Sequence, residues 1–242
     1  MKKILTLLRR ELSAYFSTWL GYIVIFAALL LNGILFNVFA MGDAPKFSAD
    51  VLRDFFYFSS GIGMVSATLL AMRLIAEEKQ NKSLVLLFTS PVSERQIVWG
   101  KFLSAFIMFC VLNILSLYLP ALVFLEGKVS WGHVFAGYLG VSLLGATVLA
   151  IALFASALAP TQLLAGVSAA GITMVLLLLW LLSNRADSPF KEVLAYASIH
   201  SERFRPFTLG IIHLRDVVFY LSVVLFFMEC SVRALEERRA RG

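Results

Sequence analysis

Charged residues are scarce in this sequence. Only 15% of its 242 residues are Asp, Glu, Lys or Arg, whereas 60% are hydrophobic and the mean hydropathy is +0.86. Soluble domains usually carry about 25% charged residues, so the composition excludes an ordinary soluble domain. Apolar stretches of about 20 residues or more indicate helices that span a bilayer. The sequence therefore predicts an integral membrane protein.

Cysteine is rarer still, since the chain contains only Cys110 and Cys230. Both lie in apolar segments, which disfavours a disulfide framework. A cleavable signal peptide is not expected either, because the basic start runs on into Arg9, Arg10 and Glu11 without a small-residue cleavage site. The formal charge of +6 does not indicate nucleic-acid binding, because the chain has no room for a soluble domain with a basic face.

Six apolar stretches are long enough to cross a hydrocarbon core of about 30 Å as helices. In lipid only helices and closed barrels satisfy their backbone hydrogen bonds, and these stretches are too long for barrel strands. We therefore predict an all-α polytopic membrane protein with one transmembrane domain over residues 1–242. The predicted spans cover residues 20–40, 55–75, 98–123, 134–158, 163–182 and 217–235.

Basic residues predict the orientation of these spans. With six spans both termini lie on one side of the membrane, and that side holds 13 of the 21 Lys and Arg residues. By the positive-inside rule, both termini and the loop of residues 77–96 are cytoplasmic. The segment 183–216 then lies outside. Pro189 and the helical spacing of the apolar residues after it predict a short external helix within this segment.

Residues 1–15 have the pattern of an amphipathic helix. One face carries Ile4, Leu5, Leu8, Leu12 and Tyr15. The opposite face is basic, and only Glu11 breaks the pattern. Such a helix lies in the membrane interface next to anionic lipid. The alternative is a plain cluster of charges that sets the topology.

The charged loop of residues 77–96 has an apolar centre. Leu84, Leu87 and Phe88 lie at helical spacing near its middle. A loop that is only solvated does not need these side chains, so they indicate a docking surface for another protein. Contact of the same residues with the lipid interface is the alternative. Ser93 and Gln96 have the form of a capping box, which predicts that the third long helix begins near Ser93.

The run RLIAEEKQNKSLVLLFTSPVSERQIVWGKFL, residues 73–103, resembles the signature of the ABC-2 type exporter permeases. That family shows paired glutamates, a Gly-Thr-like step, a Leu-Leu pair, Ser-Pro-Val and a later Gly-Lys. The corresponding residues here are Glu77, Glu78, Leu86, Leu87, Ser90, Pro91, Val92, Gly100 and Lys101. The sequence departs from the pattern at Lys82 and Ser83, where Gly-Thr is usual, and at Val85, where Glu is frequent.

The closing run FTLGIIHLRDVVFYLSVVLFFMECSVRALEERR, residues 207–239, is similar to the end of the gliding-motility-type branch of these permeases. Nitrous-oxide-reductase maturation permeases are related to that branch. The resemblance implies a permease subunit of an ATP-driven ABC exporter in the bacterial inner membrane. Its partners would be a second permease subunit, identical or different, and a separate cytoplasmic ATPase.

In the family this loop is a coupling helix that inserts into a groove of the ATPase. The residues that the resemblance assigns to the contact are Glu77, Glu78, Ser83, Leu84, Leu87, Phe88 and Pro91. ATP and Mg would bind the partner subunit, because a phosphate-binding G-x-x-x-x-G-K-[ST] run is absent from this chain. No cofactor or metal is expected here, since the spacing of His133, His200 and His213 fits no ligand motif.

A few polar residues lie within the predicted spans. Asn32, Asn37 and Asn113 either line a substrate path or bond a neighbouring helix. Glu229 is the one acid within a span, with Arg73 as a candidate partner and snorkelling to the interface as the alternative. Convergent polar residues are too few to favour a polytopic membrane enzyme. A non-transporting subunit that passes ATPase motion to external proteins should carry a large external domain, which this chain lacks.

Overall fold

The chain forms a helical bundle in a computed structural model that describes residues 2–42, 46–83, 92–127, 129–183 and 190–241. No β-strand occurs among these residues. Six helical segments are long and apolar enough to cross a membrane, namely Gly21–Met41, Ser48–Gln80, Glu94–Leu125, Trp131–Leu158, Gln162–Ser183 and Leu214–Ala240. The predicted all-α polytopic fold is confirmed.

The individual helices are shorter than the spans in two places, where a span contains a break. In chain order the described α-helices are α1 (Lys2–Ser17), α2 (Trp19–Leu35), α3 (Ser48–Ala71), α4 (Arg73–Gln80), α5 (Glu94–Leu115), α6 (Tyr118–Glu126), α7 (Trp131–Leu158), α8 (Gln162–Ser183), α9 (Phe190–Ala197), α10 (Arg205–Thr208) and α11 (Leu214–Arg241). A π-helix from Phe36 to Met41 continues α2.

The second span breaks at Met72, between α3 and α4. The hydroxyl of Ser156 in α7 accepts hydrogen bonds from the backbone N–H groups of Ile75 and Ala76, at 3.0 and 2.9 Å, and donates to the carbonyl of Met72 at 2.8 Å. A side chain that enters the backbone hydrogen-bond ladder in this way bends a helix. The direction of α4 is therefore set by a neighbouring span.

The third span breaks at Ser116 and Leu117, before α6. Pro120 lies four residues after Ser116, and proline has no N–H for the carbonyl at that position and clashes with it. The side chain of Ser116 bonds the carbonyl of Asn113 at 2.8 Å and the hydroxyl of Tyr138 at 3.0 Å. The bond to Tyr138 holds the break against α7.

Helix α7 lies at the centre of the bundle. Of its most apolar 18 residues 78% are buried, against 17% in α8 and 28% in the first and last spans. Its small residues permit this position, because a Cβ atom at Gly137 or Gly145 would overlap the ring of Phe56 or Phe109. The spans around α7 consequently leave large apolar faces uncovered, as a membrane protein requires.

The buried face of α1 differs from the predicted apolar face. Leu7 and Tyr15 are buried, whereas Leu5 is 67% exposed. Glu11 lies on the buried stripe between Leu7 and Tyr15, at helical spacing, and its side chain is only 13% exposed. The prediction treated Glu11 as an exception to the pattern, but its charge has a partner in α5, described below.

Contacts between distant segments define the two ends of the bundle. At the terminal end, α1, α4 and the start of α5 meet the last residues of α7 and the C-terminal part of α11. At the distal end, the first half of α3 meets Gly127, His133, His200 and α10. His200 bonds Ser60 there at 2.8 Å, and His133 bonds the carbonyl of Thr208 at 2.8 Å.

Candidate functional site

A buried group of charges joins α1, α4 and α5 at the terminal end. The ammonium of Lys101 lies 3.1 Å from Glu11 Oε1 and 3.0 Å from Glu78 Oε1, and its side chain is 1% exposed. Arg10 adds contacts of 3.1 Å to Glu78 and 3.6 Å to Glu11. We call Arg10, Glu11, Glu78 and Lys101 the ion cluster. Its two cations and two anions balance. Lys101, Glu11 and Glu78 are largely buried, whereas the Arg10 side chain is 62% exposed and completes the balance from the solvent side.

Gly100 gives α1 the room to reach this cluster. A Cβ atom at Gly100 would lie 2.8 Å from Leu7 Cδ2, so any side chain there would push α1 away. Glu11 lies one turn after Leu7, and Lys101 follows Gly100 directly. The Gly-Lys pair therefore has two physical roles, since the glycine permits the close approach and the lysine supplies the charge that stabilises it.

A second set of contacts ties α1 to both sides of the break at Met72. Tyr15 donates a hydrogen bond of 2.6 Å to the carbonyl of Leu70, in α3. The guanidinium of Arg73, in α4, lies 5.0 Å from the centre of the Tyr15 ring and 3.2 Å from Glu77 Oε2. Burial raises the pKa of Tyr15 above its usual value, so this phenol stays a hydrogen-bond donor.

Helix α4 is also fastened to the end of α7. Lys79 donates hydrogen bonds to the carbonyl oxygens of Ser156 at 3.2 Å, of Ala157, and of Ala159 at 3.0 Å. The last carbonyls of a helix lack partners within the helix and carry the negative end of its dipole, so a cation stabilises them. Consecutive residues of α4, Glu78 and Lys79, thus bind different parts of the bundle.

Residues 81–83 lead from α4 into the loop. The N–H of Ser83 donates to the carbonyl of Glu78 at 2.9 Å, and its hydroxyl contacts the same oxygen at 3.3 Å. Lys82 has φ of 56°, in the left-handed region that favours glycine. Lys82 is the position at which this sequence departs from the Gly that is usual in the resembling permeases.

The predicted coupling residues fall into two groups. Glu78 belongs to the ion cluster, and Glu77 and Ser83 lie next to it. The other four lie outside the described residues, and they are Leu84, Leu87, Phe88 and Pro91. Oxygen Oε2 of Glu78 is buried and accepts no hydrogen bond from the described residues. This acceptor lies at the base of the predicted coupling loop.

The capping box that starts α5 is confirmed. The hydroxyl of Ser93 accepts from the N–H of Gln96, and Oε1 of Gln96 accepts from the N–H of Ser93, both at 3.4 Å. The next two residues anchor the last helix to this start. Glu94 Oε1 lies 2.5 Å from Arg239 NH1, and Arg95 binds α11 at a second point.

Glu229 pairs with Arg95 and not with Arg73, the candidate partner. The distance from Arg95 NH2 to Glu229 Oε1 is 3.0 Å, and the Glu229 side chain is 46% exposed. The candidate pairing with Arg73 was wrong, because depth along a span does not determine which way a helix faces, whereas the half-exposed side chain agrees with the alternative of snorkelling to the interface. Arg73 faces Tyr15 of α1 and Glu77, while Glu229 of α11 faces the start of α5.

The three amides have separate surroundings. Asn32 is 2% exposed and donates to the carbonyl of Ala28 in its own helix, at 3.1 Å. Asn113 bonds Ser142 of α7 at 3.4 Å. Asn37 lies exposed in the π-helix. These contacts do not assemble a common polar path.

The ion pairs of Lys101 were missed in the sequence, where it served as one of the basic residues that set the orientation and as the lysine of the Gly-Lys pair in the resemblance. The signal that could have found it is Glu11. An acid on the apolar face of an amphipathic helix predicts a cation in the surface against which that face packs. Histidines carry no comparable signal, since the described residues contain no group of three His, Cys, Asp or Glu side chains suited to a metal.

Comparison with known proteins identifies the family of this chain. No protein of curated function matches the sequence. Residues 30–224 match the family described as ABC-2 family transporter protein. The match includes α4, the coupling loop and Lys101, and it extends over most of the 242 residues. The chain therefore belongs to the ABC-2 family of transporter proteins.

Proposed function

We propose that this chain is the permease subunit of an ATP-driven exporter, in which the ion cluster passes the movement of a separate ATPase to the spans. Membership of the ABC-2 family supports a transmembrane subunit whose ATPase is a partner protein. The observation that carries the coupling role is the position of Lys101. Its ammonium joins α4, which leads into the coupling loop, to α1 and the third span.

Helix α4 would transmit the movement of the loop to the spans. Glu78 attaches it to α1 and α5, and Lys79 attaches it to the end of α7. Closure of the ATPase on ATP would push the loop, and the contact of Ser156 at Met72 would serve as the hinge between α4 and α3. Closely packed elements respond to such a push by switching between discrete arrangements. The spans would accordingly shift between inward-open and outward-open states.

The terminal end then lies in the cytoplasm, as the distribution of basic residues favours, and the distal end lies outside the bacterial inner membrane. A second permease subunit, identical or different, would cover part of the apolar surface that α8 leaves open. The closing run of residues 207–239 supports a place in the gliding-motility-type branch. No particular substrate is assigned to the two permease subunits.

The test is co-purification of the ATPase with tagged permease in which Leu87 and Phe88 are both replaced by Glu. Burying two such side chains in a groove contributes roughly 1.5 to 3 kcal/mol each, and carboxylates in the same groove would cost more. At about 1.4 kcal/mol per factor of ten, association should weaken by at least about a hundredfold.

The matched control replaces Leu87 by Met and Phe88 by Leu, which keeps both positions apolar and should retain the ATPase. Expression and membrane insertion should be equal in all three proteins, because the spans are unchanged. Retention of the ATPase by the Glu variant at wild-type stoichiometry would show that the apolar centre of the loop rests on the membrane instead.

A further inference from the structure

An apolar groove runs between the first and second spans. It has a volume of about 600 Å³, and its walls include Ala27 and Leu31 of α2 and Gly61 and Val65 of α3, with Leu177 of α8 at one side. Along α2 the groove extends from Ile23 to Leu35, which is about 18 Å at about 1.5 Å per residue. One leaflet is half of a hydrocarbon core of about 30 Å, so the groove can hold the acyl chain of one leaflet.

A polar cleft of about 850 Å³ lies at the distal end of the same spans. Tyr57 and His200 line both the groove and the cleft, so the two cavities adjoin at these side chains. Trp180 also borders the cleft. Tyrosine and tryptophan are the residues that lie at the boundary between acyl chains and head groups in membrane proteins. The junction between the cavities thus corresponds to the depth at which a lipid changes from apolar to polar.

The cleft presents charges of both signs. Arg205 and Glu202 are exposed there, and neither forms a salt bridge with another described residue. Asp54, in contrast, is already bound by Lys46 at 3.1 Å and by Arg53 at 3.3 Å. Arg205 and Glu202 therefore remain as one cation and one anion that can bind a ligand with the opposite pair of charges.

We propose that the groove and the cleft together bind one phospholipid whose head carries a phosphate and a primary amine, as in phosphatidylethanolamine. One acyl chain lies in the groove between α2 and α3. The phosphate contacts Arg205 and the ammonium contacts Glu202, since charge-assisted contacts of both kinds are stronger than neutral ones. This binding belongs to the permease chain alone and does not depend on the proposed coupling to an ATPase.

The experiment is native mass spectrometry of the purified full-length chain in detergent, with added phosphatidylethanolamine or phosphatidylglycerol of identical acyl chains. Both lipids carry the phosphate, but only the first carries the amine. An exposed ion pair corresponds to a factor of up to about five in affinity. Wild-type protein should therefore prefer phosphatidylethanolamine by about threefold to fivefold. Glu202→Gln should abolish the preference, and Arg205→Gln should weaken the binding of both lipids equally.

The groove is tested by a pair of glycine substitutions. A Cβ atom at Gly61 or at Gly171 would meet no atom within 4 Å, so a side chain at either position leaves the fold intact. Only Gly61 lines the groove. Gly61→Leu should lower the binding of phosphatidylethanolamine by about fivefold or more, because the acyl chain loses its dispersion contacts with both helices. Gly171→Leu is the matched control and should bind as the wild type does.

Two results would overturn the proposal. One is equal binding of the two lipids by the wild-type chain, and the other is equal binding of phosphatidylethanolamine by the Gly61→Leu and Gly171→Leu proteins. Either would show a non-specific annulus of lipid. A missing ATPase partner would change neither measurement, so failure of this proposal and failure of the exporter function are distinguishable.

Discussion

The ammonium group of Lys101 lies 3.1 Å from Glu11 Oε1, although 90 positions separate the two residues in the chain. This contact joins α1 to the third span, and both side chains are largely out of contact with solvent, at 1% and 13% exposure. A buried charge is stable only with its partners. The placements of α1 and α5 therefore depend on each other, and a change at one should be felt at the other.

Replacement of Lys101 by Met should strongly destabilise the protein. It leaves Glu11 and Glu78 with only Arg10, and breaking a buried ion pair from one side costs about 3 to 5 kcal/mol. The measurement is the unfolding temperature of the purified chain in detergent. Adding Glu11→Gln and Glu78→Gln to Lys101→Met should recover most of the loss, because no buried charge is then left without compensation. Equal unfolding temperatures for the wild type and Lys101→Met would contradict the cluster.

Replacement of Lys82 by Gly should stabilise the chain. The φ of Lys82 is 56°, and a left-handed conformation costs a residue with a side chain about 1 to 2 kcal/mol. Glycine avoids this cost but loses more conformational freedom on folding, so we expect a net gain of about 0.5 to 1 kcal/mol.

Gln80→Gly, two residues earlier in α4, is the control for Lys82→Gly. Gln80 lies in the last turn of a regular helix, where glycine is about 1 kcal/mol worse than alanine. The unfolding temperatures of the two variants should move in opposite directions. A fall in both would show that position 82 is right-handed in the folded protein.

Glu94→Gln should loosen the C-terminal part of α11. The Glu94 side chain is only 13% exposed and binds Arg239. The loss of an ion pair whose arginine is half-exposed costs up to about 1 kcal/mol of stability. This corresponds to about a fivefold change in the equilibrium for local opening of the helix. Amide hydrogen exchange of residues 236–241 should accelerate accordingly. Glu236→Gln, at an exposed position of the same helix, should leave exchange unchanged.

His200 should make the stability of the protein sensitive to acid. Burial lowers the pKa of its imidazole below the usual value of 6.5. The unfolded chain then takes up a proton at a higher pH than the folded chain does, so stability is complete above pH 6.5 and falls as the pH drops toward the lowered pKa. His200→Gln keeps a partner for Ser60 and should reduce the fall in unfolding temperature between about pH 7 and about pH 5. Identical falls in both proteins would refute this role.

The orientation of the bundle is open to labelling in intact cells. Single cysteines at Ala49, Ala186 and Ala240, in a chain from which Cys110 and Cys230 have been removed, should react with an impermeant maleimide at the first two positions only. Ala49 and Ala240 are exposed at opposite ends of the bundle, and Ala186 lies outside the described residues. Labelling of Ala240 without permeabilisation would reverse the proposed topology.

Hydropathy and local motifs were sufficient for the parts of the structure that depend on neighbouring residues. The six spans follow from the length of apolar runs, and the start of α5 follows from Ser93 and Gln96, because a cap is completed within one turn of helix. The charged loop between the second and third spans is equally local. The residues assigned to ATPase contact remain a prediction, since four of them lie outside the described residues.

Tertiary packing alone decided which charges meet. Glu11 interrupts an apolar face in the sequence, yet its side chain faces the bundle because Lys101 lies opposite to it. Gly100 permits the close approach of α1 that brings the two charges together. Arg73 and Glu229 have similar depth in their spans, yet Arg73 binds Glu77 and Glu229 binds Arg95, because the two helices have different neighbours. Pairing depends on the rotation of each helix about its axis and on which helices are neighbours. Both are set by side chains that are distant in sequence, so no local pattern contains them.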